Sequence, residues 1–383
     1  MKFYELSPDE RRKQLGLSAK ENLADVDALS ENVIGKLTLP LSVIPDFEVN
    51  GKSYCLPLST EEPSVVAAIN KANSIFKKHG KLTASANRTG IWGQIFVQKP
   101  AKKLDLNGYI SVANEHFESL VKHGGGVRKL EQTEVLDLLC IKVLVDPSEA
   151  MGANYTNSIL EFLKDRICED FDLIGYYAIL SNYPSQMTHA QVQLPVEVLG
   201  QKACERLVLL SKIAEVDPYR MATHVKGIMN GVDAALIATG NDYRAVEAAV
   251  SRLSSLAKWK IVADNLVGEI DLPMPIGVVG GSISARQDVK EAYHLLGKIN
   301  ADTLAELITA AGLCSNFSAL LAISTTGIQA GHMKLQIKNV LQNLDANNEE
   351  KQLVKDMMLA KKQYTETSAR NFLKEVRKND SRN

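Results

Sequence analysis

The chain has 383 residues, too many for one ordinary hydrophobic core, so two or three domains are expected. Its composition, 45% hydrophobic and 23% charged with 24 Gly and 12 Pro, excludes a disordered or fibrous protein. The 44 basic and 45 acidic residues leave a net charge of −1, which excludes an electrostatic footprint for nucleic acid but allows a local basic pocket for a small anion.

Five widely spaced cysteines, Cys55, Cys140, Cys168, Cys204 and Cys314, form no C-x-x-C and read as free thiols in a reducing compartment. The first residues carry charges where a signal peptide needs its apolar core. No run reads as the ~20 apolar residues of a membrane span, so a cytoplasmic protein without membrane contact is expected.

Residues 5–30 are charged and read as helical, ending near Ser30. Glu31-Asn-Val-Ile-Gly35-Lys-Leu-Thr-Leu-Pro40 reads as a strand with a Gly bend and a Pro stop, and Asp264-Asn-Leu-Val-Gly268-Glu-Ile-Asp-Leu-Pro273 repeats its pattern. Either two short strands are alike by chance, or both belong to one sheet and the segment between is an insertion. Val65, Ile69, Ala72 and Phe76 have helical spacing over 64–76, and Ile91 to Gln98 alternates as a half-buried strand. Leu138 to Val145 is nearly unbroken apolar, as a covered central strand requires, and 157–167 returns to helical spacing. Residues near 90–181 thus form a candidate compact α+β unit. Val192 to Val198 alternates, 201–214 reads as a helix, and from Pro218 the chain is mostly helical, broken at Gly227, Gly231 and Gly240. The tail carries Ile337, Val340, Leu341 and Leu344 on one helical face and ends in a Lys/Glu-rich amphipathic stretch.

The sequence contains no P-loop, no G-x-G-x-x-G after a strand, no H-E-x-x-H and no paired cysteines for zinc. A nucleotide enzyme of this sequence must use a site other than a Rossmann fold.

Seven segments in order carry a resemblance: Glu31-Asn-Val-Ile-Gly35, Glu61-Glu-Pro-Ser-Val-Val-Ala-Ala68, Glu149-Ala-Met-Gly-Ala-Asn154, Asp217-Pro-Tyr-Arg220, Lys226-Gly-Ile-Met-Asn-Gly231, Ala238-Thr-Gly-Asn-Asp-Tyr-Arg-Ala-Val-Glu247 and Gly327-Ile-Gln-Ala-Gly-His-Met333. Together they resemble the class II, bacterial and soluble, 3-hydroxy-3-methylglutaryl-CoA (HMG-CoA) reductases. The resemblance implies an α+β fold with a discontinuous acyl-CoA-binding domain, 1–89 and 182–327. A ferredoxin-like NAD(P)-binding domain, 90–181, is inserted in it, and a mobile helical segment, 328–383, follows. It also implies a homodimer with interfacial active sites, or a hexamer assembled from such dimers.

The implied reaction reduces the HMG-CoA thioester with two hydrides from NAD(P)H, giving mevalonate and free CoA, or runs in reverse, without a metal. Lys226 matches the family's lysine, a fixed cation for the developing oxyanion; read alone, it is a surface lysine at a Gly-ended helix terminus. His332 matches the acid that protonates the departing CoA thiolate; read alone, it is a packed histidine at a helix start. Glu62 matches the acid of the second reduction. Its place before Pro63 makes it an N-cap candidate, and a helix N-terminus favours the carboxylate, so burial beside Lys226 with coupled titration is expected. Asp242 holds Lys226, or only caps the helix from Tyr243.

Ser64 and Arg220 match positions for the substrate's free carboxylate. Asn230 and Asn316 match polar contacts near the reacting carbonyl. Arg128, Lys129, Met151, Gly152 and Asn154 fall on the cofactor side, where a helix beginning after Gly152 offers N–H groups to a pyrophosphate.

Two positions depart from the family. Lys129 stands where an Asp is common, which favours NADPH over NADH, and Val225 replaces an Asn beside Lys226. The N-terminal segment and 181–205 are shortened. A reductase of another carboxyacyl-CoA, or a catalytically weak acyl-CoA-binding relative, are the alternatives.

Overall fold

The structure, a computed structural model, describes residues 2–17, 23–253, 257–325, 337 and 340–380. The chain divides into two compact units, Met1–Pro40 and Leu41–Asn383. In the first, Ser7 and Glu10 form a capping box that starts α1 (Pro8–Gln14), and a short α2 covers Ala24–Asp27. Arg11 is buried between them, bonded to Asp27 and to the carbonyls of Phe3 and Val33. The expected strand over 31–40 does not form: the segment is a turn followed by irregular chain, with Ile34, Leu37 and Leu39 exposed. Nor do residues 5–30 make one helix.

In the second unit β1 (Leu41–Val49) and β2 (Lys52–Ser59) form a hairpin through Asn50 and Gly51, both at positive φ as a tight primed turn requires. Helix α3 (Val65–His79) buries Val65, Ile69, Ala72 and Phe76, the predicted face, and leads to β3 (Lys81–Ala86). Next comes β4 (Ile91–Gln98), α4 (Tyr109–His116), α5 (Glu118–Lys122), β5 (Gly126–Val135), β6 (Leu138–Asp146), α6 (Ala153–Phe171) and β7 (Gly175–Leu180). Their antiparallel sheet has the order β5-β6-β4-β7. A βαββαβ chain with this order is the ferredoxin-like arrangement. Ile159, Leu160, Leu163 and Ile167 of α6 pack on Ile95, Val97, Ile141 and Val143 to make its core.

The chain continues through β8 (Met187–Pro195), α7 (Gln201–Val216), α8 (Pro218–Ala238), α9 (Tyr243–Val250), β9 (Ala257–Val262), β10 (Asn265–Pro273), α10 (Gly281–Ala285), α11 (Gln287–Leu296) and α12 (Ala301–Ser324). The second sheet has the antiparallel order β3-β8-β10-β9. Since β3 and β8 are neighbours, the ferredoxin-like unit is an excursion between two paired strands. The insertion expected from the Asn-x-x-Gly repeat exists, but β3 and β8 frame it, because only the second copy of that repeat is a strand.

Helix α12 is the axis of this larger core and packs on α3, α7, α8, β3, β8 and β10. Its length and hydropathy would suffice to cross a membrane, yet 83% of its apolar window is buried inside the protein. Gly231 lies where α8 crosses α12: a Cβ there would sit 3.0 Å from the Ala311 carbonyl oxygen. Gly227 and Gly231, read as breaks, thus lie inside a continuous helix, whereas Gly240, at φ +66°, does follow its end. After α12, α13 (Asn348–Lys361) and α14 (Glu366–Asp380) share a separate core with Ile337, Leu341 and Leu344.

Candidate active site

A cleft of about 640 Å³ lies where the ferredoxin-like sheet meets the turn before α9. One wall is the chain from Ala150 to Tyr155, running from β6 into α6, together with Ile179 to Tyr183 at the end of β7 and just beyond it. The opposite wall is Asp242, Arg244 and Ala245, and Val279 to Gly281 close it. Met151, Gly152, Asn154 and Asp242 therefore line one cleft.

Gly152 is the N-cap of α6 at φ +93°, and no side chain caps that helix. Its first-turn N–H groups and the positive end of its dipole are left for an anion. The loop before it is fixed to the larger core. The 8%-exposed Arg88 side chain donates to the carbonyls of Ser148 (2.9 Å) and Ile276 (2.8 Å), and its Nε lies 3.3 Å from Asp302. Glu149 accepts from the Ala301 N–H at 2.7 Å, at the first turn of α12. Ala150 bridges Val279, and a Cβ on Gly277 would fall 2.4 Å from the Ala150 carbonyl carbon. The backbones touch, so only glycine fits at 277.

Asp242 caps α9, accepting from the N–H groups of Arg244 (3.1 Å) and Ala245 (3.3 Å), and pairs with the Arg244 side chain. It makes no bond to Lys226 in the described residues. Lys226 is exposed in mid-helix on α8, not at a helix terminus, and Asn230 is half-buried one turn on. Glu62 is half-buried and bonded through its N–H to Thr60; it makes no ion pair with Lys226, contrary to the expected burial beside that lysine. It does not cap α3 either. Ser64 does, at φ +100° without a side-chain cap bond, because Pro63 lies in the preceding turn. His332 lies outside the described residues.

Arg220, in the first turn of α8, has a half-buried guanidinium whose Nε is buried without a hydrogen-bond partner. Burial lowers its pKa. Four residues on, His224 is 2% exposed, and burial, helped by the Arg220 charge, holds its pKa down to about 4. It is neutral at pH 7. Asn316 of α12 faces His224 (3.3 Å) and accepts from Trp259 Nε1 at 2.9 Å, so its amide is committed inside the core.

Arg128 and Lys129 stand beside a bulge of β5, outside the cleft lining. Arg128 donates to Asp146 (3.0 Å) and to the Gly124 carbonyl, above the glycine turn, whereas Lys129 pairs along its own strand with Glu131. The cleft also contains residues that sequence reasoning missed: Tyr155, Asn182, Tyr183, Ser185 and Arg244. Asn182 follows the edge strand in a segment read as shortened, and its only sequence signal was that position. The five cysteines are free, and burial raises the thiol pKa of Cys140, Cys168, Cys204 and Cys314. Among the described residues no group of His, Cys, Asp and Glu could hold a metal.

The model of the hydroxymethylglutaryl-coenzyme A reductase family matches residues 2–337. The chain belongs to the HMG-CoA reductase family. The 3-hydroxy-3-methylglutaryl-coenzyme A reductase of Archaeoglobus fulgidus is 36% identical, over 93% of this chain and 90% of that relative. The HMG-CoA reductase structure from Streptococcus pneumoniae superposes with a TM-score of 0.76 at 38% identity, covering 97% of this chain and 94% of that one. A structure of the class II enzyme from the same organism bound to NADPH in open conformations gives 0.74 at 39% identity, covering 84% and 94%. As an HMG-CoA reductase the chain is an NAD(P)H-dependent oxidoreductase of the class II type, and the uncapped α6 terminus with its glycine cradle fits a dinucleotide diphosphate.

Proposed function

We propose that this class II HMG-CoA reductase works through Lys226, Glu62, Asp242 and His332, with its cofactor in the cleft that brings Met151–Asn154 against Asp242. That juxtaposition carries the reading. When bound, the reduced nicotinamide supplies hydride. Every other task falls to the chain's own side chains.

The first reduction turns the thioester carbonyl oxygen into an oxyanion, which Lys226 stabilises as a nearby cation. Collapse of the hemithioacetal releases CoA thiolate, and His332 protonates it. Glu62 then protonates the oxygen formed when the aldehyde is reduced. Asp242 orients Lys226 in the assembled site. Arg220 and Ser64 hold the distal carboxylate of the substrate; the unpartnered Arg220 Nε supports this, because a half-buried guanidinium without a counter-ion is a ready partner for a carboxylate. Asn230 is left for the carbonyl end, since Asn316 is buried and held by Trp259 and His224. Arg128 and Lys129 favour the 2′-phosphate of NADPH.

The division into an acyl-CoA domain, an inserted cofactor domain at 90–181 and a C-terminal flap from 328 is supported by the paired β3 and β8 and by the separate cores. A cytoplasmic homodimer, or a hexamer assembled from such dimers, places the active sites at the subunit interface. Leu209, Ile213, Val216 and Tyr219 are exposed at successive turns of α7 and the start of α8, an apolar stripe suited to such a contact.

The test follows NADPH oxidation and thiol release with HMG-CoA. Two NADPH consumed per thiol supports the reading; turnover only with another carboxyacyl-CoA, or binding without turnover, overturns it. Light scattering of the wild type and of Val216→Asp tests the assembly: a fully active wild-type monomer would rule out an interfacial site.

A further inference from the structure

The chain that leaves β10, Ile276 to Val279, is hydrogen-bonded to two turns far apart in sequence. Towards the turn before α9, the Gly277 N–H donates to Asn241 Oδ1 at 2.9 Å. The Gly277 carbonyl accepts from the Tyr293 hydroxyl of α11 at 3.1 Å. Towards the loop before α6, the Val278 N–H donates to the Glu149 carbonyl at 2.8 Å, and Val279 bridges Ala150. Asn241 immediately precedes Asp242, Ala150 immediately precedes Met151, and Asp242 and Met151 both line the cleft. Each wall is thus tied to one strip of backbone, one residue away from the group it presents.

We propose that Asn241 and Tyr293 are positioning residues for the reductase reaction, clamping Gly277 by its N–H and its carbonyl and so holding Asp242 at a fixed distance from the cofactor cradle at Met151–Asn154. The inference rests on Asp242 acting in the reaction and on the cofactor lying against that cradle.

Asn241 is buried, and both ends of its amide are engaged. Its Nδ2 donates to the Thr239 hydroxyl at 3.1 Å while Oδ1 takes the Gly277 N–H, and the Thr239 hydroxyl in turn donates to the Ala235 carbonyl in the last turn of α8 at 2.8 Å. The turn that carries Asp242 cannot swing away without leaving a buried N–H unmet. Burial pushes the Tyr293 hydroxyl up to about 12, so it keeps its proton and remains a donor.

The cradle is held separately. Glu149 accepts from the Ala301 N–H, and Arg88 donates to the carbonyls of Ser148 and Ile276 beside Asp302. Release of the clamp therefore frees the Asp242 wall and leaves the cradle in place. Turnover falls while the cofactor still binds.

The experiment compares full-length wild type with Asn241→Ala and Tyr293→Phe by steady-state kinetics with HMG-CoA, by NADPH fluorescence titration and by Tm. A small misplacement of a reacting group is costly, so kcat falls about tenfold in Asn241→Ala and about threefold in Tyr293→Phe, with Kd and KM for NADPH within about twofold of wild type. A lower Tm with kcat unchanged, measured well below Tm, would make the pair structural only and overturns the clamp. So does a loss of NADPH affinity as large as the loss of kcat, which would place the damage at the cradle. Tyr293→Phe removes a single oxygen, and it decides by the same readouts if Asn241→Ala does not fold. Asp242→Asn with wild-type kcat overturns the site on which the clamp rests, and a wild type without HMG-CoA-dependent turnover overturns the reductase assignment itself.

Discussion

Gly152→Ala tests whether the start of α6 is the cofactor cradle. Gly152 sits at φ +93°, and an added Cβ would lie 2.4 Å from Pro147 Cβ, 2.9 Å from Pro147 Cγ and 3.0 Å from Ile91 Cδ1. The left-handed backbone alone costs a non-glycine residue about 1–2 kcal/mol. Pro147 is ring-constrained and Ile91 is buried, so the contact cannot be relieved by one flexible side chain, and overpacking adds about 1–3 kcal/mol. The sum, about 2–5 kcal/mol, corresponds to a fall in Tm of roughly 2–6 °C for a chain of 383 residues. Relief by shifting the loop moves the α6 terminus off its ligand, and an NADPH KM raised about tenfold is the equivalent of about 1.4 kcal/mol.

The control is Gly108→Ala, at φ +87° with nothing within 4 Å of its Cβ and outside the cleft lining. It suffers the strain without the clash, and its NADPH KM stays at the wild-type value. Differential scanning fluorimetry gives Tm and initial rates against NADPH give KM. A Gly152→Ala enzyme with wild-type Tm and KM would refute both the packing argument and the cradle.

Lys226→Ala is expected to lower kcat a hundredfold or more, roughly the cost of losing an oxyanion partner, with Tm nearly unchanged because the side chain is exposed. Arg128→Ala is expected to raise KM for NADPH about tenfold while barely changing that for NADH, as loss of one phosphate-binding guanidinium predicts; Lys129→Ala, whose ammonium is held by Glu131, is expected to do less. Parallel kinetics with both cofactors check this pair. His224 has its pKa lowered from 6.5 to about 4, so its contribution to stability is present above about pH 6.5 and lost as pH falls through that window, about 3 kcal/mol in all. A Tm profile from pH 4 to 7 should be flatter in His224→Gln than in the wild type.

Much of the second unit was legible because its elements bury regular faces. Strands β4, β6 and β10, and helices α3 and α6, follow the period-2 and period-3.6 patterns that their cores impose. The strand expected over 31–40 failed because apolar residues in an extended-looking run do not make a strand without a partner edge. Gly231 was misread because a glycine that admits a crossing helix looks, in sequence, like one that ends a helix. The cleft lining was legible where a motif is local, as at Met151–Asn154 and Asp242. Arg88 and Asn182 were not. Each acquires its meaning from chain brought close only by folding, such as Asp302 for Arg88, and nothing nearby in sequence marks it.

The approach of Gly277 to Ala150 backs the cleft wall at Ala150 with a main-chain contact. Its shape is therefore nearly indifferent to which side chains stand around it. Tyr155, Tyr183 and Arg244 on the rim can be exchanged in a library while the platform beneath stays in register, so cofactor or substrate preference is open to directed evolution at the rim, provided Gly277 is left alone.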